Sequence, residues 1–273
     1  MGDVLEESLY NKQPGQFDII NVRAKSFSAN YSGSTIIRDS IFSIIRNYAR
    51  KKGLSLEILR YPFKDEELWA FTFAKKGIIF LCINSELAMC KQIFAAAHEL
   101  YHIHCYAEDI ESDTITRGSL LDAKTVDDTE ASQEDLEANA FAGLLLMPDS
   151  LLDEQIKLYG ITGNEISVDD VLTLIELFAV PYKAVVLRLF ENNLITKAKA
   201  RALFNIDKEF IVERIKLTGK SLGWQRNSKE TFFFGSLLDD MEFNKENELL
   251  TETRAESDRE YLEKKSKLFL DEC

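Results

Sequence analysis

The chain has 273 residues, 45% hydrophobic and 29% charged, enough apolar material for the core of one large domain or two smaller ones. Its 33 basic and 46 acidic residues leave a formal charge of -13, which works against nonspecific attraction to nucleic-acid phosphates and anionic membranes. No secretory signal is legible at the start and no apolar run approaches the roughly 20 residues needed to cross a bilayer; Cys82, Cys90, Cys105 and Cys273, without CxxC spacing, read as reduced thiols of a cytoplasmic protein.

The first forty residues are mixed, with turn signals at Pro14-Gly15 and Ser32-Gly33-Ser34. Ile37, Ile41, Ile44, Ile45 and Tyr48 then keep the spacing of an amphipathic helix that ends near Lys51-Lys52-Gly53. Strand-like runs follow at 56–61, 69–74 and 78–83, the last two joined by the tight turn Lys75-Lys76-Gly77. The third run is continuously apolar, as in a strand buried on both faces, and its edge is a candidate for strand addition by an extended peptide. A long helix is expected from the cap Ser85 through Ala95-Ala96-Ala97.

From 107 to 137 eleven acidic residues face only Arg117 and Lys124, which reads as a solvated connection, with a substrate-screening lid as the alternative. Ser132-x-x-Asp135 fits a capping box, after which Glu137, Phe141 and Leu145 share a helix face until Pro148. Ser167-x-x-Asp170 opens another helix through Leu172, Ile175 and Phe178. A turn at Val180-Pro181 and a helix through Val185, Val186 and Leu189 complete a helix-turn-helix-like shape within 167–205. Beyond it, 210–217 reads as helix, 232–235 as a short buried strand and 246–268 as a highly charged helix.

All three histidines fall within His98-Glu99-Leu100-Tyr101-His102-Ile103-His104. Residues four apart on a helix differ by about 40° in azimuth, so His98 and His102 can converge on one metal ion from adjacent turns. This is the HExxH pattern: zinc lowers the pKa of its bound water, and Glu99 is placed to take the proton as general base. His104, about 200° around from His102, points away and reads as a hydrogen-bonded or exposed residue. A catalytic zinc takes a third protein ligand and keeps one position for water. Glu137, on an apolar helix face where an unpaired carboxylate is costly, is favoured for it, with Glu134 in the first helical turn as the competitor. Tyr101 and Tyr106 lie close enough in sequence to be considered as oxyanion donors, against a packing role for both.

The run Ala97-His98-Glu99-Leu100-Tyr101-His102-Ile103, then Glu137-Ala138-Asn139-Ala140-Phe141-Ala142 and Leu144-Leu145-Leu146-Met147-Pro148, resembles the ImmA/IrrE-type zinc metallopeptidases, which show an HELxH helix followed by an EANxFAxxLLMP helix. The resemblance implies zinc bound by His98, His102 and Glu137, with Glu99 as the catalytic carboxylate. Members are bacterial or phage-borne, and several cleave a helix-turn-helix repressor, releasing genes of a mobile element or a stress response. Tyr101 departs from the Gly often found at its position, and the acidic connection between the motifs is long.

The expected fold is α+β, with a zincin-like core over 1–152 built on a small antiparallel sheet, and a mainly helical region over 153–273 that docks substrate. The expected function is site-specific cleavage of a regulatory protein, a transcriptional repressor. Its rivals are a non-hydrolytic, zinc-stabilised regulator acting by protein or DNA binding, and a toxin–antitoxin-type component. DNA binding is disfavoured because Lys183 and Arg188 are the only basic residues on the would-be recognition helix.

Overall fold

The computed structural model describes residues 4–33, 36–65, 67–106, 119–122, 131–228 and 233–271. In chain order its elements begin with α1 (Val4–Glu7), α2 (Leu9–Lys12), α3 (Pro14–Tyr31) and α4 (Ile41–Lys52). Strands β1 (Ser55–Tyr61), β2 (Leu68–Lys75) and β3 (Ile78–Asn84) lead to α5 (Met89–Tyr106), β4 (Ser119–Asp122) and α6 (Gln133–Leu146). The remainder is helical: α7 (Asp149–Leu158), α8 (Val168–Phe178), α9 (Tyr182–Glu191), α10 (Lys197–Phe204) and α11 (Lys208–Thr218). It closes with the short β5 (Phe233–Phe234), α12 (Leu237–Glu246) and α13 (Glu252–Asp271).

Pro14 does not make a turn. It stands in the first turn of α3, where a missing N–H is harmless and a fixed φ favours the helix. Phe17, Ile20, Ala24 and Phe27 then form the buried stripe of α3. In α4 the spaced apolar residues are buried, and Gly53 closes the helix at φ 67.

β2 and β3 form the expected hairpin, with positive φ at both Lys76 and Gly77 as a two-residue type I′ turn requires. β1 lies parallel to β3, from Ser55 against Ile78 to Tyr61 against Asn84, so the sheet is mixed rather than wholly antiparallel. The sheet order β4-β2-β3-β1-β5 makes β3 central. Its continuous apolar run fits that position. Both of its edges are already hydrogen-bonded, so strand addition to β3 is overturned. β4 belongs to the acidic connection; the rest of that stretch, 107–118 and 123–130, lies outside the described residues.

α5 begins four residues later than its cap signal. The buried Asn84 side chain instead accepts the N–H groups of Phe63 and Glu86, each at 3.0 Å, and Ser85 N donates to Tyr61 O. Met89 N in the first turn of α5 finds its acceptor in Arg226 O at 2.8 Å. The charged C-terminal helix also starts late, at Glu252, because the chain turns after α12 with Glu248 at φ 59. Phe233–Phe234 pairs with β1, but Phe234 is only half-buried; Phe232 lies outside the described residues.

One apolar cluster joins α3, α4, the inner face of the sheet, α5, α6 and α8 to α11. The largest fully buried side chain among the described residues is a charged one, Arg188 on α9, 1% exposed. The guanidinium donates to Met147 O at 3.3 and 3.2 Å, to Asp149 Oδ1 at 2.5 Å and to Glu191 Oε2 at 2.8 Å. It thereby satisfies a carbonyl at the C-terminal end of α6 and ties α6, α7 and α9 together. Gly143 permits the crossing, since a Cβ there would meet Arg188 Cδ at 3.0 Å. Arg188→Ala would remove the charge partner of the buried Glu191 and should cost about 3–5 kcal/mol, measurable as a lowered denaturant midpoint with an unchanged slope.

Candidate metal centre

The site arises where α5 and α6 pack together. Ala95, Ala96 and Ala97 of α5 are fully buried, and the next residue is His98. His98 Nε2 and His102 Nε2 face each other at 3.1 Å. Asp135 Oδ1 completes a triangle, 3.8 Å from the first and 3.6 Å from the second. Donors around a tetrahedral zinc with bonds of about 2.0–2.1 Å stand about 3.3–3.4 Å apart, so two imidazoles and a carboxylate in this arrangement fit a metal ion. Among the described residues, these are the His, Cys, Asp or Glu side chains grouped for that purpose.

The far side of each ring is held as well. His98 Nδ1 donates to Asn139 Oδ1 and His102 Nδ1 to Glu134 Oε1, both at 2.9 Å. Both acceptors require the proton on Nδ1, which turns the Nε2 lone pairs toward the triangle. Glu99 is fully buried on α5, and its charge acts on His102. Both histidines are buried, while the Asp135 and Glu134 side chains are 20% and 40% exposed, so the acid side is the open edge.

The structure does not bring Glu137 into this group. Two residues beyond Asp135, it lies about 200° around α6 and faces away from the imidazoles. Its Oε2 accepts from Tyr101 Oη at 2.5 Å, and its Oε1 from Gln16 Nε2 at 2.9 Å and Gln133 Nε2 at 3.0 Å. The premise that this carboxylate needs partners holds, but polar side chains from α3, α5 and α6 supply them. Glu134, the rival for the same role, orients His102 instead. Asp135 does form the expected capping box: its Oδ2 accepts from Ser132 N at 3.1 Å and Ser132 Oγ at 2.6 Å while Oδ1 faces the histidines. The overlooked signal was the i, i+4 pair Asp135 and Asn139 on one face of α6.

His104 does point away, bonded through Nδ1 to Tyr48 Oη at 2.8 Å. Tyr101 is buried with its hydroxyl committed to Glu137 and accepting from Arg23 Nη1 at 3.1 Å, so it is a packing and bonding residue rather than an oxyanion donor. The Tyr106 side chain lies outside the described residues.

Residues 52–190 match the model of the M78 peptidase family described as the IrrE N-terminal-like domain. The chain belongs to this family. The match encloses α5 and α6 with the whole triad and runs on to α9, covering about half of the chain. No curated protein matches the sequence. Membership makes this a peptidase-type domain with a protein substrate, and the donor set suits the metal ion that such chemistry uses. No helix among the described residues is long and apolar enough to cross a membrane.

Burial, then the neighbouring charge of His102, pushes His98 well below its ordinary pKa. Burial also works against charge on His102, but hydrogen bonds to Asp135 and Glu134 outweigh it and raise it to about 9. Asp135, despite partial burial, is held at about 2 by His102 and Ser132. Without metal the pair of rings therefore keeps a proton at neutral pH. Metal binding should displace about one proton, so apparent affinity should rise with pH below about 9; calorimetry in buffers of different ionisation enthalpy reads the release directly. Asn139→Ala and Glu134→Ala should each weaken metal binding about 10–100-fold, Asp135→Ala more, and Glu137→Gln should leave it unchanged in competition with a chromophoric chelator.

Proposed function

We propose that the chain is a cytoplasmic, zinc-dependent endopeptidase that cleaves a regulatory protein at a specific site, its substrate a helix-turn-helix repressor of a mobile element or stress response. His98, His102 and Asp135 hold the metal in this reading, residues 1–152 carry the chemistry, and 153–273 dock the substrate. The observation that carries it is the two-nitrogen, one-oxygen triad beside Glu99 on a peptidase scaffold. Three protein donors leave a coordination position open, the arrangement of catalytic rather than structural zinc.

Bound there, zinc supplies Lewis acidity, acidifying a water and polarising the scissile carbonyl. Glu99 accepts the proton of the attacking water on its carboxylate and delivers it to the departing amine nitrogen. Asn139 and Glu134 keep the imidazoles in the metal-binding tautomer. Support for a repressor substrate comes from the paired HELxH and EANxFA motifs, and support for a cytoplasmic site from the unpatterned cysteines.

The burial of His98 and His102 is what favours the rival, a non-hydrolytic regulator with a structural ion, whether alone or in a toxin–antitoxin-type complex. Direct DNA binding loses ground, because Arg188 is buried in ion pairs. Glu99→Gln separates the two readings. It should keep metal content and folding while lowering cleavage of the coexpressed neighbouring repressor by about 10²–10⁴-fold, scored by mass spectrometry of fragments. Cleavage at the wild-type rate by this variant would overturn the mechanism.

A further inference from the structure

α3 lies outside the matched residues 52–190, yet it reaches both helices that build the triad. The spacing of Gln16, Ile20, Arg23 and Phe27 puts them on one face of α3. Ile20 and Phe27 are buried, and the ring of Phe27 meets that of Phe141 on α6 edge-on, 5.8 Å between centroids. Gln16 and Arg23 are half-buried on the same face, where polar groups need partners, and they find them in α5 and α6. Gln16 Nε2 donates to Glu137 Oε1 at 2.9 Å, and Arg23 Nη1 donates to Tyr101 Oη at 3.1 Å.

Between these two grips runs one further bond, from Tyr101 Oη to Glu137 Oε2 at 2.5 Å. Tyr101 lies between His98 and His102 on α5, and Glu137 lies between Asp135 and Asn139 on α6. The bond therefore limits the rotation of each helix about its own axis at the level of the triad. Tyr101 is 2% exposed, with its ring 6.0 Å from that of His102 and 5.5 Å from that of Phe141. Packing of this kind locks a rotamer, and locked supporting side chains are what hold a metal site to its geometry. The Gly often found at this position of the HELxH pattern could make no such bond, so the contact depends on this chain's tyrosine.

We propose that α3 is a working part of the metal centre: Arg23 and Gln16 hold Tyr101 against Glu137, and that contact sets the register in which Asp135 meets the two histidines. All four are positioning residues, acting on the ion through the backbones of α5 and α6. The inference rests on His98, His102 and Asp135 as the metal ligands of the proposed function, and is indifferent to whether a peptide is cut.

The test measures zinc affinity of the full-length chain against a chromophoric chelator, together with the visible absorption of the cobalt(II)-loaded protein, whose bands follow the geometry around the ion. Tyr101→Phe, which removes a single oxygen, and Glu137→Ala should each weaken zinc about tenfold and shift the cobalt bands. Because both cut the same bond, the double variant should bind no more weakly than either single one. Arg23→Met combined with Gln16→Ala should weaken zinc in the same direction. Glu137→Gln keeps an oxygen to accept from Tyr101, while Gln16 and Gln133 can turn their amide oxygens toward its amide, so it should bind as the wild type does. Wild-type affinity and an unchanged cobalt spectrum in Tyr101→Phe overturn the proposal, whatever happens to the unfolding midpoint. Additive losses in the double variant overturn it too, since the two residues would then act separately. Zinc loss in Glu137→Gln as large as in Glu137→Ala overturns it in favour of direct ligation by that carboxylate. Normal binding by the Arg23 and Gln16 variant overturns the role of α3. A wild-type chain that takes up neither zinc nor cobalt would retire the metal reading and this inference with it. Zinc held with the dependence described, but without any peptide cleavage, would retire the peptidase reading alone.

Discussion

The relative register of α5 and α6 is the constraint on which the centre depends. Two imidazoles on adjacent turns make half a metal site; the other donor and both orienting groups come from a second helix. Asp135, Glu134 and Asn139 reach the histidines from α6. A slide of one residue would move each of them by about 1.5 Å along the axis and 100° around it, enough to dissolve the triangle. The register is pinned on the opposite side too, where Glu137 of α6 accepts from Tyr101 of α5. Gln16 and Arg23 of α3 brace that contact. Glu137, expected from the sequence among the metal ligands, thus stands in this structure as a strut behind the triad.

Asp135 shows how economically the second helix is built. One carboxylate oxygen terminates the helix through Ser132, and the other faces the imidazoles. The capping box fixes the side-chain rotamer through local hydrogen bonds, so the donor is oriented before any ion arrives. The price is that the cap and the centre stand or fall together, since disturbing Ser132 would also loosen Asp135.

Much of this was legible in the sequence. The HELxH spacing, the hairpin around Lys76-Gly77, the Ser132 and Ser167 caps and the Gly53 stop are short-range signals, each carried by a few adjacent residues. Misreadings occurred where one residue type serves two physical ends. Pro14-Gly15 signals a turn or a helix start equally well. Ser85 has the chemistry of a cap, but the side chain of Asn84 takes the local N–H groups and delays α5. Asp135 satisfies a capping pattern with one oxygen, and nothing local in the sequence marks the use of the other. The parallel pairing of β1 with β3 is a long-range choice without a local marker.

The helix-turn-helix-like segment illustrates how shape and surface chemistry part company. α8, the left-handed Ala179 and α9 do make the expected corner. A reading head, however, needs an exposed face with cations free to meet phosphates. Here Arg188 is consumed in holding the end of α6, and Val185, Val186 and Leu189 are fully buried in the core. What remains of α9, with Tyr182, Lys183, Ala184 and Leu187, lines the cavity that reaches Asn139. The corner is a wall beside the metal helix. Because Arg188 also fixes the far end of α6, the element that shapes this wall holds the helix that supplies Asp135, so the cavity wall and the triad share one mechanical support.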